Sequence, residues 1–117
     1  MEEWSIAAAR SRSFQRMLNT DRGAVLVAEE TGRVLGVISL SFNLAMRFET
    51  GYAQIEELIV DEAARGRQLG ALLVRAAMDH AVAQGCNEIG LYPREETRAF
   101  YEKLGFRYAG VELRQTL

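Results

Sequence analysis

The segment Leu58-Ile59-Val60-Asp61-Glu62-Ala63-Ala64-Arg65-Gly66-Arg67-Gln68-Leu69-Gly70-Ala71-Leu72-Leu73 constrains this chain more than any other. Apolar, β-preferring residues run into a basic, glycine-containing loop, and the loop runs into an amphipathic stretch with helical spacing. A helix that starts there presents backbone N–H groups with no internal partner at the positive end of its dipole. Gly66 and Gly70 remove Cβ atoms where a ligand or a neighbouring strand approaches closely. Arg65 and Arg67 add charge-assisted donors suited to phosphate oxygens. The order strand, loop, helix predicts a site for a phosphorylated ligand.

A chain of 117 residues is one domain, long enough to bury a core. Its formal net charge of −2 gives no support for nucleic-acid binding. The single cysteine, Cys86, cannot close an internal disulfide, which fits a reducing compartment. No apolar run has the length to span a bilayer, and no cleavable signal is visible at the start. The expectation is a cytoplasmic protein with no membrane contact. No His, Cys, Asp or Glu cluster has metal-ligand spacing, so no metal is expected. The loop does not end in Lys-Ser or Lys-Thr, which argues against a nucleotide triphosphatase P-loop.

Hydrophobic periodicity predicts a helix over 4–18 and a turn at Asn19-Thr20-Asp21-Arg22-Gly23. Strands over 24–29 and 33–42, joined by Glu30-Thr31-Gly32, read as an antiparallel hairpin. Residues 43–51 read as a loop or a strand extension, and 52–60 as a third strand. A helix over 68–84 follows, with Leu69, Leu72, Leu73, Ala76, Ala77 and His80 as its buried stripe and Gly85 as its stop. His80 reads as structural there, and Cys86 as a small buried residue. A fourth strand over 89–92 should lie parallel to the third, because a helical crossover joins them. Pro93 ends it, a second helix covers 95–104, and 106–117 can supply one or two final strands. The fold class is α/β, a mixed sheet that is antiparallel at one side and parallel at the strand–loop–helix unit.

Two segments of this chain resemble signatures of the GNAT acetyltransferase superfamily. Arg65-Gly66-Arg67-Gln68-Leu69-Gly70 is similar to its acetyl-CoA loop, Gln/Arg-x-x-Gly-x-Gly/Ala. Phe100-Tyr101-Glu102-Lys103-Leu104-Gly105-Phe106 is similar to its aromatic-Tyr-Glu-Lys-x-Gly-Phe helix. The likeness covers residues 24–106. Two departures stand out. The middle glycine of the loop motif is Gln68, which would sit without strain only on an ordinary helical backbone. By the same resemblance the superfamily's first strand and helix are missing, which would leave strand 24–29 as an open edge and favour a homodimer.

The resemblance implies acetyl transfer from acetyl-CoA to a primary amine by direct attack on the thioester. It places the CoA pyrophosphate on Arg65, Gly66, Arg67, Gln68, Leu69, Gly70 and Ala71. The pantetheine arm would add as a pseudo-strand along Leu58, Ile59 and Val60, where two parallel strands splay. A backbone N–H near Val60 can polarise the thioester carbonyl. A lysine-like amine has a pKa of about 10.4, so roughly one molecule in a thousand is neutral at physiological pH, and a carboxylate base helps. Glu56 and Glu57 are the candidates. Strand alternation would put them on opposite faces, with Glu56 favoured by likeness to family members. Tyr101 matches the family tyrosine that protonates the leaving thiolate. Arg94 stands where the family often has an asparagine near CoA. The other reading is a noncatalytic acyl-CoA-binding module, suggested by Gln68 and the short N-terminus. The sequence does not specify the acceptor amine.

Overall fold

The computed structural model describes residues 22–46, 48–66, 68–110 and 112–117, with only the backbone at Phe48 and Glu49. The helix expected over 4–18, and Arg67, lie outside the described residues. Four strands form one sheet in the order β1 (Gly23–Glu30), β2 (Arg33–Ala45), β3 (Phe48–Val60) and β4 (Glu88–Gly90). Helix α1 (Leu69–Ala83) crosses from β3 to β4, and α2 (Arg98–Lys103) follows β4.

β1 and β2 pair antiparallel through a two-residue turn in which Thr31 and Gly32 both have positive φ. That is the hairpin the sequence predicts, and the turn geometry matches the right-handed twist of the flanking strands. β2 and β3 run further than expected. Asn43 pairs with Tyr52 and Ala45 with Phe48, so the 43–51 stretch is a strand extension containing an irregularity. β3 and β4 are parallel, as the crossover requires, but only Tyr52, Ala53 and Gln54 find partners there. β4 is accordingly shorter than predicted.

The final strands expected over 106–117 are absent from its described residues. A terminal segment makes a strand only where a neighbour accepts its ladder, and among the described residues no strand pairs with this one.

One face of the sheet carries the core. Ile38 and Leu40 of β2 and Ile55 of β3 meet Leu73, Val74 and Ala77 of α1, with Tyr101 of α2 closing the cluster. The stripe α1 buries is Leu73, Val74, Ala77 and Ala81. Leu72 and Ala76, expected in it, face outward. The helix is apolar over most of its circumference, so periodicity alone allows two orientations and contact with the sheet selects one. The helix comes close because β2 has Gly36 beneath it, where a Cβ would stand 2.9 Å from Leu73 Cδ1 and 3.3 Å from the Ile59 carbonyl oxygen. His80 stacks on Phe42, with ring centroids 5.8 Å apart, in keeping with a structural role.

α1 ends as Gly85 predicts. The N–H of Gly85 donates to Val82 O and that of Cys86 to Ala81 O, the double closure of a Schellman cap. Gly105 ends α2 in the same way at φ 103°, which only glycine adopts readily. The turn brings Phe106 back against Tyr101, ring centroids 5.8 Å apart.

Ile38 is wholly buried beneath α1. Ile38→Ala is expected to cost about 2–5 kcal/mol of stability, read by denaturant unfolding. A change within half a kcal/mol would contradict this description of the core.

Candidate active site

The loop that follows β3 is pinned before it becomes basic. Asp61 is buried, and its N–H donates to Leu35 O at 2.7 Å. Its Oδ1 accepts the Ala63 N–H at 3.0 Å, capping the 3₁₀ turn Glu62–Ala64. Its Oδ2 accepts from Arg33 Nη2 at 2.9 Å. A single carboxylate thus ties the loop to the start of β2 and uses both its oxygens to do so.

Beyond this clamp the chain turns into α1 through two residues with positive φ, Gly66 at 88° and Gln68 at 61°. Gln68 is the N-cap, and its side chain makes no capping bond. The ordinary helical backbone expected for Gln68 is therefore corrected: the residue is left-handed, a conformation that costs an L-residue roughly 1–2 kcal/mol. The first intrahelical bond from this end runs from Leu72 N to Gln68 O. The N–H groups of Leu69, Gly70 and Ala71 precede it and are available at the positive end of the helix.

These groups open onto a cavity of about 300 Å³. Val60, Arg65 and Gly66 form one side, Gln68, Leu69, Gly70 and Ala71 another, and Phe100 of α2 the third. Seven predicted ligand residues therefore meet in one place. Phe100 was not expected there. Its ring presses on Gly70, where a Cβ would stand 3.3 Å from Phe100 Cζ. Gly70 thus lets α1 and α2 close together, whereas a Cβ on Gly66 would meet nothing within 4 Å, so Gly66 serves backbone conformation. Leu58 and Ile59 lie just upstream on β3. There β3 has left β4 behind, since their pairing stops at Gln54. Among the described residues no strand takes the backbone groups of 55–60 on that side, so they remain open to an extended ligand.

The structure overturns the expected separation of Glu56 and Glu57. Ser39 pairs with Glu57 and Leu40 with Ile55, which leaves Glu56 as the extra residue of a β-bulge. Ser39 and Ser41 share the face of β2 opposite Ile38 and Leu40. Ser39 Oγ donates to Glu57 Oε1 at 2.5 Å and Ser41 Oγ to Glu56 Oε2 at 2.6 Å. Both carboxylates therefore reach the same face, away from α1. The bulge breaks the alternation that would have parted them.

Tyr101 sits beside Phe100, ring centroids 4.9 Å apart, and is 8% exposed. Burial raises the pKa of its phenol above the usual value, so the hydroxyl stays protonated at neutral pH and can donate. Its ring belongs to the core cluster and not to the cavity lining. Cys86 is only partly buried, and desolvation raises its thiol pKa. Arg94 precedes the 3₁₀ turn Glu95–Thr97 without lining the cavity. In the tail, Arg114 is paired with Glu112, which raises its pKa, and the charges of Tyr92 and Glu56 add to the effect.

A strand that leaves its parallel neighbour early, an arginine–glycine loop and an uncapped helix start belong to a class of site suited to an extended, anionic ligand. Comparison with known proteins makes the class specific. The model of the acetyltransferase (GNAT) family matches residues 1–106, and the chain belongs to that family. The chain is 31% identical over 100 residues to glucosamine 6-phosphate N-acetyltransferase of Arabidopsis thaliana, covering 84% of this chain and 67% of that protein. It is 35% identical over 92 residues to glucosamine 6-phosphate N-acetyltransferase 1 of Oryza sativa subsp. japonica, covering 76% of this chain and 56% of the relative. The crystal structure of the Arabidopsis protein superposes with a TM-score of 0.79 at 28% identity, covering 90% of this chain and 74% of that one.

The left-handed Gln68 yields a direct test. Gln68→Gly is expected to raise stability by about 1 kcal/mol, seen as a higher midpoint in denaturant. A lower midpoint would contradict the backbone geometry.

Proposed function

We propose that this chain transfers the acetyl group of acetyl-CoA to the primary amine of a small molecule. The observation that carries the reading is the cavity where the loop, the uncapped start of α1 and Phe100 meet at the mouth of the β3–β4 gap. Its donors fit a pyrophosphate: the Arg65 guanidinium and the N–H groups of Leu69, Gly70 and Ala71, with Arg67 adjoining in sequence. The open edge of β3 along Leu58, Ile59 and Val60 fits a peptide-like arm. When bound, acetyl-CoA supplies a thioester carbonyl as the electrophile.

The chain's own residues then have three tasks. Glu56 or Glu57 accepts a proton from the acceptor's ammonium, freeing the nitrogen lone pair. That lone pair forms the C–N bond as the C–S bond breaks and its electron pair leaves on sulfur. The Tyr101 hydroxyl gives its proton to that sulfur, and the acylated nitrogen sheds its second proton, which returns through water to the Tyr101 phenolate. A backbone N–H near Val60 steadies the carbonyl oxygen as charge develops. No step in this scheme calls for a metal ion. The names of the relatives make glucosamine 6-phosphate the first acceptor to test. A homodimer in the cytoplasm completes the reading, supported by exposed apolar residues at the β2–β3 hairpin tip, Leu44 and Met46.

Calorimetric titration with acetyl-CoA tests this reading, with light scattering on the same sample. The parent is expected to bind saturably as a dimer and to acetylate the amino sugar phosphate. An Arg65→Ala, Arg67→Ala double variant should lose at least about tenfold in affinity. Tyr101→Phe should lose turnover with affinity intact. A folded parent that does not bind acetyl-CoA would contradict the reading, and a monomer mass at all concentrations would remove the dimer.

A further inference from the structure

The β-bulge places two carboxylates on one face of the sheet, and their surroundings differ. Glu57 is bonded by Ser39, a buried hydroxyl in register with it. Glu56 stands outside the regular register, and the bond from Ser41 crosses diagonally, since Ser41 pairs with Gln54. Ser41 is itself bonded: Asn43 Nδ2 donates to Ser41 Oγ at 3.1 Å. An amide nitrogen can only donate, so it occupies a lone pair of the hydroxyl and leaves the single O–H proton directed at Glu56 Oε2. Among the described residues Glu56 Oε1 accepts nothing, so one oxygen is held and the other is open.

We propose that Asn43 and Ser41 are positioning residues that hold Glu56 as the general base, through the relay Asn43 amide to Ser41 hydroxyl to Glu56 carboxylate. This rests on the acetyltransferase reading above. A glutamate on a sheet surface samples several rotamers, and only those with an oxygen in reach of the acceptor's ammonium remove its proton. Anchoring Oε2 from the strand next door restricts the side chain to one arrangement and presents Oε1 to the acceptor. The relay lies on β2, which contributes nothing to the cavity lining, so it acts on the acceptor half of the reaction and leaves acetyl-CoA binding alone.

The test is a mutant cycle on the full chain, with acetyl-CoA and an amine that the parent acetylates. Ser41→Ala is expected to lower kcat about tenfold with KM for acetyl-CoA within twofold. Ser41→Thr, which keeps the hydroxyl, should recover most of the loss. Asn43→Ala should lose less than Ser41→Ala, and the double variant no more than Ser41→Ala alone. In a Glu56→Gln background Ser41→Ala should change nothing further. Full kcat in a folded Ser41→Ala, or a penalty that persists without the Glu56 carboxylate, would overturn the relay while leaving the acetyltransferase reading in place. A parent that binds acetyl-CoA yet acetylates no amine would overturn both.

Discussion

The site depends on how closely α1 lies on the sheet. Gly36 in β2 leaves room for Leu73 of α1, and Gly70, one turn earlier in α1, leaves room for Phe100 of α2. These two absent side chains let the first turns of α1 pack closely on β2 and on α2. The uncapped N-terminus of α1 therefore opens at the end of β3, next to α2. The buried Asp61 fixes the intervening turn from three sides. The donors of the loop are positioned by packing beneath them, as preorganised binding of the proposed ligand would require.

The second constraint is the early parting of β3 and β4. β4 has only three residues, and all three pair with β3. Here the ladder ends at Gln54, and β3 continues to Val60 with one side open. α2 brings Phe100 to the cavity and Tyr101 to the core beside it. The sheet thus divides the work. Its helix-covered face supplies the core and its gap the open strand edge. Its opposite face carries Glu56 and Glu57, brought together by the bulge.

Much of this was legible in the sequence where the signal is local. The hairpin at Thr31-Gly32, the crossover helix, its glycine stop and the parallel fourth strand all follow from composition and spacing. The strand–loop–helix segment 58–73 located seven of the cavity's residues. The rest depended on contacts between distant segments. A bulge exists only once β2 fixes the register of β3, so the shared face of Glu56 and Glu57 could not be read from alternation. Phe100 reads as core because an aromatic next to Tyr101 packs well in either place, and only the position of Gly70 reveals which. The conformation of Gln68 is imposed by a turn that glycine would enter more easily, and the departure from the family motif was the one sign of it. The tail was expected to supply a final strand, but pairing needs a partner, and the local sequence carries no information on that.

The most direct test of the central claim is amide chemical-shift mapping of the ¹⁵N-labelled chain during titration with acetyl-CoA. The account predicts that the largest changes fall on Gly66, Leu69, Gly70 and Ala71 and continue along Leu58, Ile59 and Val60. Saturating changes confined to other surfaces, with these amides unmoved, would show that the uncapped start of α1 is not where the ligand's phosphates lie.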